Sequence, residues 1–429
     1  MRAFYLLGVL TIPLVIPVAT SSHAGGISQT LPPGFIVTLP KSRTSAPIDG
    51  RLLLLISTDS TAEPRFQISD GSETQLVFGQ DVNGLAPGGS VPVNSRAPGY
   101  PVHSLAEVRP GRYRVQAVLN RYETFHRSDG HTVKLPPDMG EGQQWNRKPG
   151  NFYSAPVWIR FGGRVRNRFI LSLDSIIPPI PAPANTKYVK HERIQSKLLS
   201  AFWGRPVFLG AHVLIPEGFD THPDARYPLV INQGHFPEDL EEFREAAPDS
   251  TLKPDSSTRF HLGGYNRITQ QYAHQFYEDW TGRDFPRVLL ISIQHPTPYY
   301  DDSYAVNSEN NGPYGDAIMQ ELIPYLEKKY RGIGKGYARF MYGGSTGGWE
   351  AMAVQMFYPD EFNGAWIACP DPIDFHAFEL VNLYEDSNAF APTTPWLRVP
   401  RPAHRDYLGR INSTVESENR MELVLGTHG

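Results

Sequence analysis

The chain has 429 residues, 40% hydrophobic and 20% charged, with a formal net charge of −4 and a pI near 6.4. That balance fits a globular protein long enough for two ordinary cores. No Lys/Arg run or basic stripe stands out, which argues against nucleic acid as a partner.

Residues 1–24 read as a secretory signal. Arg2 supplies a short basic start, Ala3 to Ala19 is apolar, and Ser22-His23-Ala24 fits a small-x-small cleavage site. A membrane anchor is the alternative, but the run is short for a span of ~20 residues. The expected location is therefore secreted or periplasmic, with no stable membrane insertion. Cys369 is the single cysteine, so no intramolecular disulfide or thiolate metal cluster can form. Beside a strand, it is expected to be a small core residue.

Residues 25–176 carry short apolar runs broken by Gly, Pro, Asp and Asn. Arg51–Ile56, Pro64–Ile68, Tyr113–Leu119, Pro156–Phe161 and Arg168–Leu173 all read as strands. Turn pairs such as Pro110-Gly111 and Asp129-Gly130 separate them. The pattern predicts an all-β sandwich. Residues 177–186 form a proline-rich, semi-rigid linker.

From 187 to 429 strands alternate with helices. Val207–Ile215, Tyr227–Ile231, Arg287–Ile293, Ala338–Tyr342 and Gly364–Cys369 are strand-like. Tyr314–Arg331 reads as a helix perturbed at Pro324, and Trp349–Tyr358 as another helix. Such alternation predicts a doubly wound, mostly parallel sheet.

Gly343-Gly-Ser345-Thr-Gly347 lies between two of these elements. Gly-x-Ser-x-Gly after a strand and before a helix is the pattern of a nucleophile elbow, which lifts a serine out of the sheet. A serine hydroxyl needs a base within reach and donors for the oxyanion. Thr346 would offer its backbone N–H near the positive end of the new helix. The second donor would be the N–H of His235 or Phe236, with Gly234 allowing close approach; an ordinary turn is the competing reading.

These motifs resemble the esterase D and enterochelin-esterase-like family of α/β hydrolases. The resemblance spans roughly residues 187–429. It rests on Tyr227-Pro-Leu-Val-Ile-Asn-Gln-Gly-His-Phe-Pro237, Glu321-Leu-Ile-Pro-Tyr-Leu326, Tyr342-Gly-Gly-Ser-Thr-Gly-Gly-Trp349, Tyr358-Pro-Asp-Glu-Phe362 and Cys369-Pro-Asp-Pro-Ile-Asp-Phe375. Leu199-Ser-Ala-Phe-Trp-Gly-Arg205 looks like exported members with an N-terminal β domain. The resemblance implies an α/β-hydrolase fold after the β-sandwich, with Ser345 as nucleophile of an acyl-transfer reaction. It also implies an Asp after a later strand and a His in a loop near the end.

Only 84 residues follow Ser345. They include Asp360, Asp371, Asp374, Asp386 and Asp406, with His376, His404 and His428. Asp360 falls on the wrong edge of the sheet. Asp371 and Asp374 fit the site rim or a turn cap equally well. His428 follows the strand-like Met421–Leu425, but a base must be held firmly and chain ends are poorly held. The expectation is an incomplete sheet whose acid and base lie beyond Gly429, and little activity in the chain as written.

No cofactor or metal is expected, since Asp/His clusters at ligand spacing are absent. The substrate would be a small-molecule or glycan-linked ester. The polar loop Tyr299–Pro313 follows a strand and is expected near the pocket rim. The alternative is a non-catalytic binding protein whose sandwich recognises a ligand, with Trp145, Phe152, Tyr153 and Trp158 as a stacking platform or as core.

Overall fold

The run Leu52-Leu-Leu-Leu-Ile56 is apolar without alternation, and the computed structural model shows why. The structure describes residues 34–162, 168–235, 240, 242–257, 260–300 and 302–426; residues 1–24, expected as a leader, lie outside them. Strand Ile48–Ser57 sits in the middle of a seven-stranded sheet, between Leu76–Leu85 and Gly111–Arg121. Leu52, Leu54 and Ile56 face a three-stranded sheet built from Arg168–Ser172, Gly34–Thr38 and Ser90–Val93. Phe35, Val37, Val115, Ala117 and Leu119 complete that core. Leu53 and Leu55 point the other way, where Val77, Val118, Val424 and Leu425 cover them. Both faces are thus dry, and each fully buried leucine contributes about 1.5–3 kcal/mol.

The cover on the second face is helix Val415–Leu425. This corrects the strand expected over Met421–Leu425. Thr414 caps the helix reciprocally with Ser417: the Ser417 N–H donates to Thr414 Oγ1 at 3.1 Å, and the Thr414 N–H donates to Ser417 Oγ at 2.9 Å. Glu, Arg, Met and Leu fill the turns that follow, all good helix formers. Arg51 then closes the far end. Its Nε and Nη2 donate to the carbonyls of Val424 and Leu423 at 3.0 and 2.8 Å. A cation there satisfies orphaned carbonyls at the negative end of the helix dipole. The described residues from Gly34 onward belong to one compact unit. The run Pro64–Ile68 is also no strand. Pro64–Phe66 makes a 3-10 turn, favoured by the fixed φ of a proline at its first position.

The alternating part builds a six-stranded sheet. Its order is Val189–Ser196, Val207–Leu214, Leu289–Gln294, Leu229–Gln233, Arg339–Gly344 and Gly364–Ala368. The first two pairings are antiparallel and the remaining three parallel. The N-terminal strand, helix Lys197–Trp203 and helix Tyr265–Thr281 are elements the periodicity did not reveal.

The helix expected around Pro324 forms as Tyr314–Ala317, a π-turn at Ile318–Leu322, and Ile323–Tyr330. The π-turn comes just ahead of Pro324, whose missing N–H and ring cannot fit regular α-helical spacing. Glu327 of this helix takes Arg339 in a bidentate pair, both contacts at 2.8 Å, and so anchors the base of the next strand. Among the described residues, no helix is long and apolar enough to cross a membrane.

Leu54→Ala is expected to cost about 2–5 kcal/mol in urea unfolding, as for other buried leucines. Ile170→Ala, on the exposed side of the small sheet at 69% exposure, should change stability by less than about 0.5 kcal/mol.

Candidate active site

Strand Arg339–Gly344 runs parallel to Leu229–Gln233, with Gln233 opposite Gly343. Ser345 follows at φ 55° and ψ −122°, and helix Thr346–Phe357 begins at once. A non-glycine residue at positive φ is costly unless its surroundings hold it there. Here they do. The Ser345 N–H donates to the Ala368 carbonyl at 3.0 Å, and the Ser345 carbonyl accepts from the N–H groups of Trp349 and Asp371 at 3.1 and 3.2 Å.

Two glycines make the turn possible through close approach rather than through unusual φ. A Cβ on Gly343 would lie 2.1 Å from the Gly347 carbonyl oxygen, and one on Gly347 would lie 2.1 Å from that of Gln233. At Gly234, by contrast, a Cβ would meet nothing within 4 Å. The close approach is made at the expected place, the Gln233–Gly234 backbone, but it is Gly347 rather than Gly234 whose missing side chain permits it.

Ser345 is exposed and Thr346 is buried. Asp371, just past the next strand, receives both hydroxyls: Ser345 Oγ donates at 3.2 Å and Thr346 Oγ1 at 2.7 Å. This brings Asp371 to the site. Asp374 instead caps the turn Phe375–Ala377 by accepting the His376 N–H at 2.9 Å. Asp386 pairs with Arg401 at 2.6 Å, and Asp406 with Arg410 at 2.7 Å. Asp360 lies in the turn Pro359–Glu361.

No histidine among the described residues is hydrogen-bonded to Ser345. His376 pairs with Asp374, and His404 pairs with Asp70 of the sandwich. His428 and Phe236 lie outside the described residues. His235 is present at the end of its strand, with its ring turned to Asp302: Nδ1 lies 2.9 Å from Oδ2.

Asp302, His295 and Glu350 form a group that local spacing did not disclose. Asp302 and Glu350 have fully buried side chains, and that of His295 is 2% exposed. Burial, then the charge of Asp302, push the Glu350 carboxyl far above the usual carboxylate range. Burial pulls the His295 imidazole down. Burial would also raise Asp302, but hydrogen bonds from His235, the Tyr304 N–H and Glu350 together hold it below the ordinary value. Donor atoms of His295, Asp302 and Glu350 lie within 4.8 Å of one another, the spacing a metal ion takes. The donor set does not fit one. The Ser303 N–H points at His295 Nδ1, at 3.4 Å, and Ser303 Oγ is 2.8 Å away. Nδ1 thus accepts, and the proton sits on Nε2, the nitrogen facing Glu350.

The loop after strand Leu289–Gln294 does reach the rim. Tyr304 meets Trp349 edge-on, with centroids 5.4 Å apart. Burial, with Tyr300, Asp302, Asp371 and Glu350 nearby, pushes its hydroxyl up to about 12. Cys369, expected in the core, is exposed because it follows an edge strand rather than a central one. The four aromatic residues of the sandwich do not make a platform. Trp145 and Phe152 are buried, and the guanidinium groups of Arg65 and Arg112 cover Tyr153 and Trp158 at 4.3 and 4.6 Å.

A strained serine between a parallel strand and a helix N-terminus is the site arrangement of an α/β-type serine hydrolase. The family model Esterase matches residues 292–420, so the site-bearing part of the chain is esterase-like. No curated protein matches the sequence. Among solved structures, an IroE-like serine hydrolase from Shewanella oneidensis is 16% identical, with 43% of this chain and 51% of that one covered and a TM-score of 0.29. The BES protein from Bacillus cereus is 16% identical over 44% and 64%, with a TM-score of 0.25. A CE1 ferulic acid esterase from the anaerobic fungus Anaeromyces mucronatus is 14% identical over 45% and 63%, at 0.24. The chain thus spans 51–64% of the lengths of these structures. Likeness at this level describes neither a reaction nor a substrate.

Gly347→Ala is expected to cost about 1–3 kcal/mol or more, because backbone must shift. Gly364→Ala, where a Cβ meets nothing within 4 Å, serves as the thermal-unfolding control. A second expectation concerns pH. The folded protein holds the Glu350 proton to higher pH than the ordinary 4.5 of the unfolded chain. Stability therefore falls as pH rises above that value. Glu350→Gln should remove this fall, so its unfolding midpoint relative to wild type should improve between about pH 5 and about pH 8.

Proposed function

We propose that the chain is a serine-dependent hydrolase of carboxylic esters acting through an acyl-serine intermediate. The observation that carries this is Ser345 itself, exposed and held at φ 55° on the turn into helix Thr346–Phe357. In this reading Ser345 Oγ attacks the ester carbonyl. The Thr346 N–H, at the positive end of the helix, and an N–H of His235 or Phe236 receive the developing oxyanion. Collapse expels the alcohol, and water then releases the acid from Ser345. The polar loop carrying Tyr304 supports a small-molecule or glycan-linked ester with a polar part.

Turnover by this chain should be slow. The Ser345 hydroxyl donates to the Asp371 carboxylate and not to an imidazole. The surface beside the site supports the same view. Trp366 and Ile367 on the edge strand are 64% and 42% exposed, and Met356 and Phe357 on the adjoining helix 69% and 65%. From that apolar face we infer a further strand and helix, supplied by polypeptide outside residues 1–429, that bring the acid and base. We also propose export directed by residues 1–24, and a sandwich (25–176), linker (177–186) and hydrolase part (187–429) as the domain plan.

The test is ester hydrolysis by the purified chain. Wild type should release the alcohol of an activated aryl ester in a burst as Ser345 is acylated. Ser345→Ala should show no burst with its fold intact, keeping only the residual rate, about 10³–10⁴-fold over water, that oxyanion contacts and binding leave. Equal release by the two proteins would sink the reading. An in-frame extension that lacks a strand followed by Asp and a loop His would sink the proposal of a supplied triad.

A further inference from the structure

The buried group beneath the elbow has no part in the acyl-transfer scheme, yet it joins three elements around the site. His295 directly follows strand Leu289–Gln294, Asp302 lies in the same loop, and Glu350 is in the second turn of the helix that starts after Ser345. Asp302 is the hub. Its Oδ2 accepts from His235 Nδ1 at 2.9 Å, and its Oδ1 accepts from the Tyr304 N–H at 2.6 Å. Oδ1 is also 3.4 Å from His295 Nδ1. On the other edge of that ring, Nε2 faces Glu350 Oε2 at 3.8 Å. Glu350 and His295 Nε2 make no hydrogen bond of good geometry, although the protonated Glu350 carboxyl lies against Asp302 and the His295 ring against the Gly234 backbone. A buried polar group so placed is costly, at about 1–3 kcal/mol each, unless the arrangement serves something else.

The loop around Asp302 is strained as well. Tyr304 and Ala305 stand consecutively at φ 57° and 53°. Side chains hold them there: Asp302 through the Tyr304 N–H, and Ser303 Oγ through the Ala305 N–H at 3.2 Å. Strain of this kind collects where a site must be pre-set. On the opposite side, Gly347 packs against the Gln233 carbonyl, so the turn carrying His235 already touches the elbow helix.

We propose that Asp302 is a positioning residue for the oxyanion site: by gripping the His235 ring it fixes Gly234 and His235 against the nucleophile helix, so that the His235 backbone N–H is aimed at the oxyanion. Glu350 and His295 fill the space between the two and keep solvent from Asp302. The groups facing this contact are His295 from the strand end, Glu350 from the helix, Tyr304 within the loop and Asp371 beyond the edge strand. The proposal rests on Ser345 as nucleophile and on the His235 amide as oxyanion donor. It adds which side chain aims that amide.

The test uses the full chain and the variants Asp302→Asn and His235→Gln. His235 is partly exposed, so His235→Gln tests the same contact with less risk to folding. One arm measures the rate at which an alkyl fluorophosphonate labels Ser345. The other measures amide hydrogen exchange at residues 233–235. Both variants should label at least tenfold more slowly, approaching the 10²–10³-fold effect of a lost oxyanion donor. Exchange at 233–235 should speed up while the unfolding midpoint of His235→Gln stays near wild type. For an activated ester, kcat should fall and KM should hardly move, a split that lost structure alone would not produce. Labelling within twofold of wild type, or unchanged exchange at 233–235, overturns the proposal. If wild-type Ser345 does not label, the exchange arm alone decides whether Asp302 fixes the turn.

Discussion

The site depends on one close approach. Gly347, two residues past Ser345, lies so near the Gln233 carbonyl that no side chain fits between them. That contact draws the helix onto the neighbouring strand and leaves the chain a sharp turn in which to pass from strand to helix. Ser345 occupies it at positive φ, and hydrogen bonds to Ala368, Trp349 and Asp371 hold the strain. The hydroxyl is exposed as a result. A larger residue at 347 would let helix and strand move apart, and the serine would relax into an ordinary turn.

Much of this was legible in the sequence, because each signal is local. Gly-x-Ser-x-Gly between an apolar run and a helix fixes the turn with few residues. The buried parallel strands announce themselves as unbroken apolar stretches. What the sequence could not reveal depends on contacts between distant segments. His235 and Asp302 are 67 residues apart, and nothing near either marks the pair. Glu350 looked like an ordinary helix position, although its side chain is wholly buried. Asp371 stood equally well as a rim residue or a turn cap, and only the fold sets it against Ser345 and Thr346.

Helix Val415–Leu425, expected as a strand, is likewise decided by distant contacts. A short apolar segment cannot be told from a strand by its residues alone. Its capping box and the docking of its last turn on Leu53, Leu55 and Val77 settle the matter. This docking also explains why the leucine run of the central sandwich strand does not alternate. The two parts of the chain therefore share a hydrophobic surface, fastened by Arg51 on the helix carbonyls.

The central claim is that Ser345 carries the acyl group. Its most direct measurement is peptide mapping after a brief exposure to an activated ester and an acid quench. The account expects one acyl group, on the peptide containing Ser345, and none in Ser345→Ala. An adduct on another residue, or none on Ser345 under conditions where ester is consumed, would contradict it.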